Sequence, residues 1–409
     1  MHAPVYLDHH ATTPVDPRVL TAMLPFFGLN FGNAASRAHS FGWAAEKAVE
    51  HARKRVAHLA GAQPREIVFT SGATESNNLA IKGAAEANPA RNHFITVTTE
   101  HRAVLDPLRH LERQGSRVTV LAPRPDGLLD PDELRRAILP ETLLVSIMHA
   151  NNETGVVFPI EQLSRITKET DASIVFHTDA TQSVGKIPID LEHAYQHVDL
   201  LSFSGHKLHA PKGVGALYIR RGTACRPFMI GGHQEEGRRA GTENVPYIVG
   251  LAKAVQLAAE GYPDEDTRVH GLRDRLEKAI EERIPSVQVN GKAAPRLPNT
   301  LNVSCHYVEG EGILYQLSDC GICASSGSAC TSGSLEPSHV LRAMKVPFTA
   351  VHGSVRFSFS RYNTEEDVDR IIEVFPGIVA NLRRLSPYWD QEKDVPRPGA
   401  EDLVRRRGP

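Results

Sequence analysis

Lys207 closes the segment Ser202-Phe203-Ser204-Gly205-His206-Lys207, at the end of an apolar run. An amine there is poorly solvated, and desolvation favours the neutral form needed to make an imine with an aldehyde. Lysines are ordinarily solvated surface groups, so the neighbours decide. Asp179 follows the run Ser173–Thr178 and precedes Thr181, Gln182 and Ser183. A carboxylate in that place can keep a ring nitrogen protonated, the condition under which a pyridoxal ring acts as an electron sink. The same aspartate also fits a plain helix N-cap. Ser71-Gly72-Ala73-Thr74-Glu75 follows the run Ile67–Thr70 and opens a helix expected to reach about Ala87. A glycine turn into a helix start offers free N–H groups and a positive dipole end to a phosphate; Ser71 or Thr74 as a simple cap accounts for the same residues. Glu100-His101 follows another run, where an imidazole can stack on a planar cofactor and exchange protons near neutral pH.

Five cysteines, Cys225, Cys305, Cys320, Cys323 and Cys330, are an odd number in a long chain and point to reduced thiols rather than a disulfide framework. Cys330 is embedded in Ser325-Ser326-Gly327-Ser328-Ala329-Cys330-Thr331-Ser332-Gly333-Ser334. Small, flexible residues suit a loop that must carry a thiol into a site and out again, and a thiolate there is a strong nucleophile. Cys320 and Cys323 form a C-x-x-C that, with Cys330, leaves a metal or iron–sulfur alternative open. Its fourth ligand would have to be Cys305 or a histidine, and Cys323 reads more as apolar filling.

Short β-branched runs position these groups, at 67–70, 94–99, 117–121, 142–148, 173–178, 199–204 and 215–219, with helix-like stretches between them. Strands this apolar imply an α/β unit with a largely parallel sheet covered on both faces, whose ligands gather at the carboxyl ends of the strands. After Pro263 a charged helix, about 266–283, strands near 300–303 and 355–360, and a helix from Thr364 read as a smaller α+β unit. The expected division is an N-terminal segment, 1–14, packing on the small domain; a large domain, 15–262; a small domain, 263–385, holding the Cys330 loop; and a loosely held tail, 386–409. The chain has 409 residues, 41% of them hydrophobic, and 46 basic against 48 acidic side chains give a net charge of −2 without long single-sign blocks. That balance implies no nucleic-acid or membrane-surface partner. No apolar run nears the ~20 residues of a membrane helix, and the N-terminus lacks a signal-peptide layout, so a cytoplasmic protein is expected.

Taken together, the segments YLDHHATTP (6–14), FTSGATESNN (69–78), TEHRAV (99–104), HANNETG (149–155), HTDATQSVGK (177–186), SFSGHK (202–207), RRAGTEN (238–244), SSGSACTSGSLEPSHVLRAM (325–344) and VRFSFSR (355–361) resemble the cysteine desulfurases of the NifS and IscS type. These are pyridoxal-phosphate enzymes of fold type I in the class V aminotransferase group, and the long Cys330 loop is most similar to the IscS branch. The resemblance implies a mostly parallel, cofactor-binding large domain and a dimer. Lys207 would carry pyridoxal 5'-phosphate and move the substrate's α-proton; His101 would stack on the ring, Asp179 hold its nitrogen and Gln182 its phenolic oxygen. Thr74, Ser204 and His206 would bind the phosphate, with Ala73 also against the cofactor and Thr242 reaching in from the second subunit. Asn152, also against the cofactor, and Arg356 would grip the carboxylate of L-cysteine, a bidentate task suited to a planar guanidinium. Cys330 would take the sulfur as a persulfide and pass it to an iron–sulfur scaffold protein or to other acceptors, such as those of tRNA thiolation. No metal is expected at the site. A selenocysteine lyase or small-amino-acid transaminase of the same fold would keep Lys207 and Asp179 with less need of Cys330. A metal-binding sulfur-trafficking scaffold would instead use Cys320, Cys323 and Cys330. Two departures from the family pattern are His209-Ala210, where Tyr-Gly is usual, and Ala34, where Pro is usual.

Overall fold

In a computed structural model of the chain, which describes residues 4–326 and 337–400, a two-residue strand, β1 (Val5–Tyr6), is followed by a seven-stranded sheet. Its strands are β2 (Ile67–Thr70), β3 (His93–Val97), β4 (Arg117–Leu121), β5 (Thr142–Ser146), β6 (Val175–Asp179), β7 (Leu200–Ser204) and β8 (Gly215–Ile219), in the order β2-β8-β7-β6-β5-β3-β4. Pairing is parallel from β7 to β4, while β8 runs antiparallel to both β7 and β2. All of these strands except the edge strand β4 are buried along their whole length. Alternate side chains therefore feed two cores. On β8, Ala216 and Tyr218 join one and Leu217 and Ile219 the other.

The first core is covered by α1 (Pro17–Met23), α2 (Ser40–Leu59), α5 (Pro131–Ala137), α6 (Ile160–Thr170) and α7 (Val245–Gly261), the second by α3 (Ala73–Ala87) and α4 (Arg102–Arg113). The runs expected at 94–99 and 142–148 leave the ladder two residues early, at Val97 and Ser146, where the chain turns to bring Glu100–His101 and His149–Asn152 over the sheet's end.

A third core lies beyond α7. It is built from α8 (Asp264–Arg283), the antiparallel strands β9 (Val287–Val289), β10 (Thr300–Cys305) and β12 (Ser354–Ser358), α9 (Gly310–Asp319) and α12 (Glu365–Leu385). Val269, Leu272, Leu276 and Ile280 give α8 one apolar stripe, and Val368, Ile371, Phe375 and Val379 give α12 another. Thr364 caps α12 in a reciprocal box with Asp367. The strand β11 (Ile322–Cys323) pairs in parallel with β1, so Val5 and Leu7 enter this core. Two short helices, α10 (His339–Ala343) and α11 (Phe348–Val351), lie between β11 and β12 in the chain. Among the described residues, no helix is long and apolar enough to cross a membrane.

The stretch from Trp389 departs from the loose tail expected of its composition. Trp389 and Asp390 form β13, which pairs with β14 (Val395–Pro396), and Trp389 is only 1% exposed. Its indole lies against the Arg383 guanidinium, 4.4 Å away, and donates to Asp394 at 3.0 Å. Proline and charge counts missed this because one large aromatic outweighs several polar neighbours once it finds a pocket. Trp389→Ala is expected to destabilise the fold by about 3–5 kcal/mol, read as a lower denaturant midpoint; an unchanged midpoint would show that the segment is dispensable.

Candidate active site

The carboxyl ends of β6 and β7, the start of α3 and the turn after β5 surround one cavity of about 610 Å³. Lys207, Asp179, Gln182 and His101 line it. So do Ala73, Thr74, Ser204 and His206 at one end and Asn152 and Arg356 at the other. Thr242 is not on its wall; it is exposed on the surface of its own chain. Cys330 belongs to 327–336, outside the described residues.

Each group is held by partners from elsewhere in the chain. Lys207 Nζ donates to the carbonyls of His10 and of Ala11, the latter at 2.9 Å. Asp179 accepts from Asn77 Nδ2 at 2.7 Å and from the Thr181 N–H at 2.9 Å, so local cap geometry and a directed carboxylate coexist. His101 caps α4, its Nδ1 accepting from the Ala103 N–H at 3.1 Å, which requires Nδ1 to be unprotonated and leaves the proton on Nε2. His206 meets the Thr12 hydroxyl at 3.2 Å. Gly72 adopts φ +150° at the turn into α3, and β8 presses so close behind it that a Cβ on Gly215 would stand 2.7 Å from the Gly72 Cα.

Arg356 is 3% exposed. It donates to the Asn152 carbonyl at 2.9 Å and to Asp8 at 2.7 Å, while its Nε is buried with no partner among the described residues. Thr181 Oγ1, on the same cavity wall, is likewise unsatisfied. Buried orphan donors cost free energy unless a ligand meets them. An electron-sink ring with a phosphate at one end and an amino-acid carboxylate at the other fits these residues: helix start and His206 for the phosphate, Asp179 for the ring nitrogen, Arg356 for the carboxylate.

Several contributors carry no motif of their own. Glu153, buried beneath the cavity rim, accepts from the Ser338 hydroxyl, which also caps α10. On the other side of 327–336, Ser325 exchanges backbone hydrogen bonds with Arg356. Glu100 lies behind Asp179; burial and then the Asp179 charge push its carboxyl well above the usual range. Only long-range contacts reveal these residues. Cys305 and Cys225 are raised to about 12 by burial and are therefore inert thiols. Cys323 pairs in register with Tyr6 in the short strand β11. Among the described residues, no three His, Cys, Asp or Glu side chains converge as metal ligands.

A lysine, a carboxylate and a helix start converging at the ends of parallel strands define a pyridoxal-phosphate enzyme. The chain belongs to the aminotransferase class-V family, whose model matches residues 5–371. It is 55% identical over 388 residues to a cysteine desulfurase of Gluconacetobacter diazotrophicus, covering 94% of this chain and 96% of that protein. It is 54% identical over 397 residues to the cysteine desulfurase IscS of Anaeromyxobacter dehalogenans, covering 96% and 97%. Among solved structures it is similar to a NifS-like protein, with a TM-score of 0.87 at 39% identity, covering 93% of this chain and 100% of that one. A NifS-like protein from Rickettsia africae gives 0.82 at 32% identity, covering 92% and 99%.

Burial lowers His149, His177, His206 and His209 to about 4 and His9 to about 3, against ~6.5 in an unfolded chain. The unfolded state therefore binds more protons between those values. The stability these imidazoles contribute is complete above pH ~6.5 and is lost as pH falls towards ~4, by up to ~1.4 kcal/mol per pH unit for each buried one and by less for the half-exposed His206. Glu100 and Glu153, raised by burial, act in the opposite sense but are outnumbered. The denaturant midpoint is expected to fall between pH 6.5 and 5; a flat profile there would contradict neutral buried imidazoles.

Proposed function

We infer that this chain is a pyridoxal-phosphate-dependent cysteine desulfurase that removes sulfur from L-cysteine, releases L-alanine and supplies sulfur for iron–sulfur cluster assembly. The observation that carries the reading is the single cavity lined by Lys207, Asp179, the start of α3 and Arg356, whose buried Nε has no partner among the described residues. When bound, pyridoxal phosphate supplies an electron sink for negative charge at the substrate Cα.

Lys207 anchors the cofactor and, once released, moves the proton at the substrate Cα. Asp179, fixed by Asn77, keeps a negative charge against the ring nitrogen. His101 would cover the ring, held by the Nδ1 hydrogen bond from the Ala103 N–H. Thr74, Ser204 and His206, with the backbone at Ala73, would bind the phosphate, and Gln182 would meet the phenolic oxygen. Arg356, braced by Asp8 and the Asn152 carbonyl, grips the substrate carboxylate together with Asn152. Two of its three nitrogens are already oriented, so little entropy is lost when the substrate binds. The Cys330 thiolate then attacks the substrate sulfur: an S–S bond forms, the Cβ–S bond breaks with its electron pair going to carbon, and a proton completes alanine. The enzyme thiol is left as a persulfide for an acceptor such as an iron–sulfur scaffold.

A second copy of the chain completes the site. Large apolar side chains are exposed between Leu24 and Trp43, among them Phe27, Leu29 and Phe31, a surface that a soluble monomer rarely leaves open. The exposed Thr242 would then serve the phosphate of the partner's cavity. Four free thiols among the described residues agree with a reducing cytoplasm.

The test is an absorbance spectrum of the purified protein with cysteine, followed by peptide mass spectrometry. The wild type is expected to be yellow, to lose its colour with borohydride and to carry one extra sulfur on Cys330. Lys207→Ala should give no reducible adduct. Cys330→Ala should stay yellow while alanine formation drops at least ~100-fold, the scale of a lost nucleophile. Alanine release surviving in Cys330→Ala would favour a selenocysteine lyase or transaminase instead.

A further inference from the structure

Behind Lys207, on the side away from the phosphate end, a smaller pocket opens between the sheet and the third core. Lys186 and Lys207 both border it, with His9, His209, Glu265 and Arg361 opposite. Lys186 Nζ donates to Gln182 Oε1 at 3.1 Å. The nitrogen of the same amide donates to the His10 carbonyl at 3.1 Å, and that carbonyl also receives Lys207 Nζ. The two amines are thus joined through one amide and one carbonyl. An amide nitrogen carries two hydrogens; the His10 carbonyl takes one, and the other is free for the cavity that Gln182 lines. This orientation holds while Lys186 occupies the oxygen.

Lys186 has no carboxylate paired with it among the described residues, since Glu265 is engaged by Arg361 at 3.1 Å. Burial, then the charges of Lys207 and Arg356, lower Lys186 to about 7. The other groups facing it are the imidazoles of His9, His10, His206 and His209, each of which its charge lowers further. Asp266, on the pocket wall, is pushed up by its own burial. A buried amine without an anion is costly, and an apolar side chain of similar length would fill the space more cheaply. Once Lys207 is linked to an aldehyde, its charge on Lys186 is absent whenever the linked nitrogen is unprotonated, and in that state the protonated form of Lys186 becomes easier to hold.

We propose that Lys186 is a positioning residue for the chemistry at Lys207, clamping the Gln182 amide with its nitrogen towards the cofactor ring and setting a positive charge beside the Lys207 nitrogen. The proposal rests on the cofactor reading above. A positive neighbour disfavours protonation, so the chromophore of cofactor-linked Lys207 titrates lower with Lys186 than without it.

The experiment compares Lys186→Met, Lys186→Gln and Lys186→Arg in two readouts: the pH midpoint of the chromophore in the holoenzyme, and the affinity of apoprotein for pyridoxal phosphate. In Lys186→Met the midpoint should rise by about one pH unit and the affinity should fall about tenfold, the scale of one lost buried hydrogen bond. Lys186→Arg should keep both near the wild type. Should Lys186→Met fail to fold, Lys186→Gln replaces it, with the midpoint again expected to rise. An unchanged midpoint in the uncharged variant, or an Arg variant as impaired as the Met one, overturns the proposal and leaves Lys186 a core lysine. A wild type that forms no chromophore at all would sink the cofactor reading itself, an outcome distinct from a normal wild-type spectrum with an unshifted variant.

Discussion

The segment from Leu7 to Thr13 runs between the third core and the sheet, and its backbone is where the two are made to agree. Leu7 is packed in the third core, the Asp8 carboxylate holds Arg356, the carbonyls of His10 and Ala11 receive Lys207, and the Thr13 hydroxyl donates to the carbonyl of His206. Backbone carbonyls in a dry setting must be satisfied, and here the donors that satisfy them are the groups the chemistry requires. Displacing these few residues would misplace the substrate's carboxylate grip and the cofactor's anchor together.

Desolvation does most of the electrostatic work. The cavity wall carries the cations Lys207, Lys212 and Arg356, with Lys186 on the pocket behind Lys207, and its carboxylates are Asp179 and Glu75, the latter engaged by Arg239 as Asp8 is by Arg356. A phosphate and the carboxylate of an amino acid are what such a wall can neutralise. The buried imidazoles around it remain uncharged and add hydrogen bonds without adding to the repulsion; His177, for example, bridges Ser146 at 2.8 Å and Ser202 at 3.0 Å across three strands.

The central sheet was legible because its strands are buried on both faces, leaving runs such as Leu200–Phe203 with almost no polar interruption. Lys207, Asp179 and the Gly72 turn were legible for a related reason: a strand end is a fixed place, and polar residues immediately after an apolar run are therefore brought together. Glu153 and Glu100 could not be read this way. Each is held by a partner distant in sequence, Glu153 by the Ser338 hydroxyl and Glu100 by the Met148 N–H, and no local pattern records such a pair. The Trp389 segment failed for the opposite reason, since its local pattern was informative but described only the residues around the one that packs. His209, where the family usually has tyrosine, keeps a left-handed backbone at φ +67° and lies edge-on to Tyr362, so the substitution is absorbed by aromatic packing behind Lys207.

The closeness of β8 to the Gly72 turn gives the enzyme a fixed depth. The reversed strand is a backstop: with no side chain at Gly215, the phosphate-facing loop rests directly on hydrogen-bonded main chain. Such a floor neither swells nor repacks as a floor of side chains would. Changes of reaction type or substrate therefore have little room at this end of the cavity and fall to the opposite end, beyond Arg356 and Asn152, where Ser325 and Ser338 flank residues 327–336.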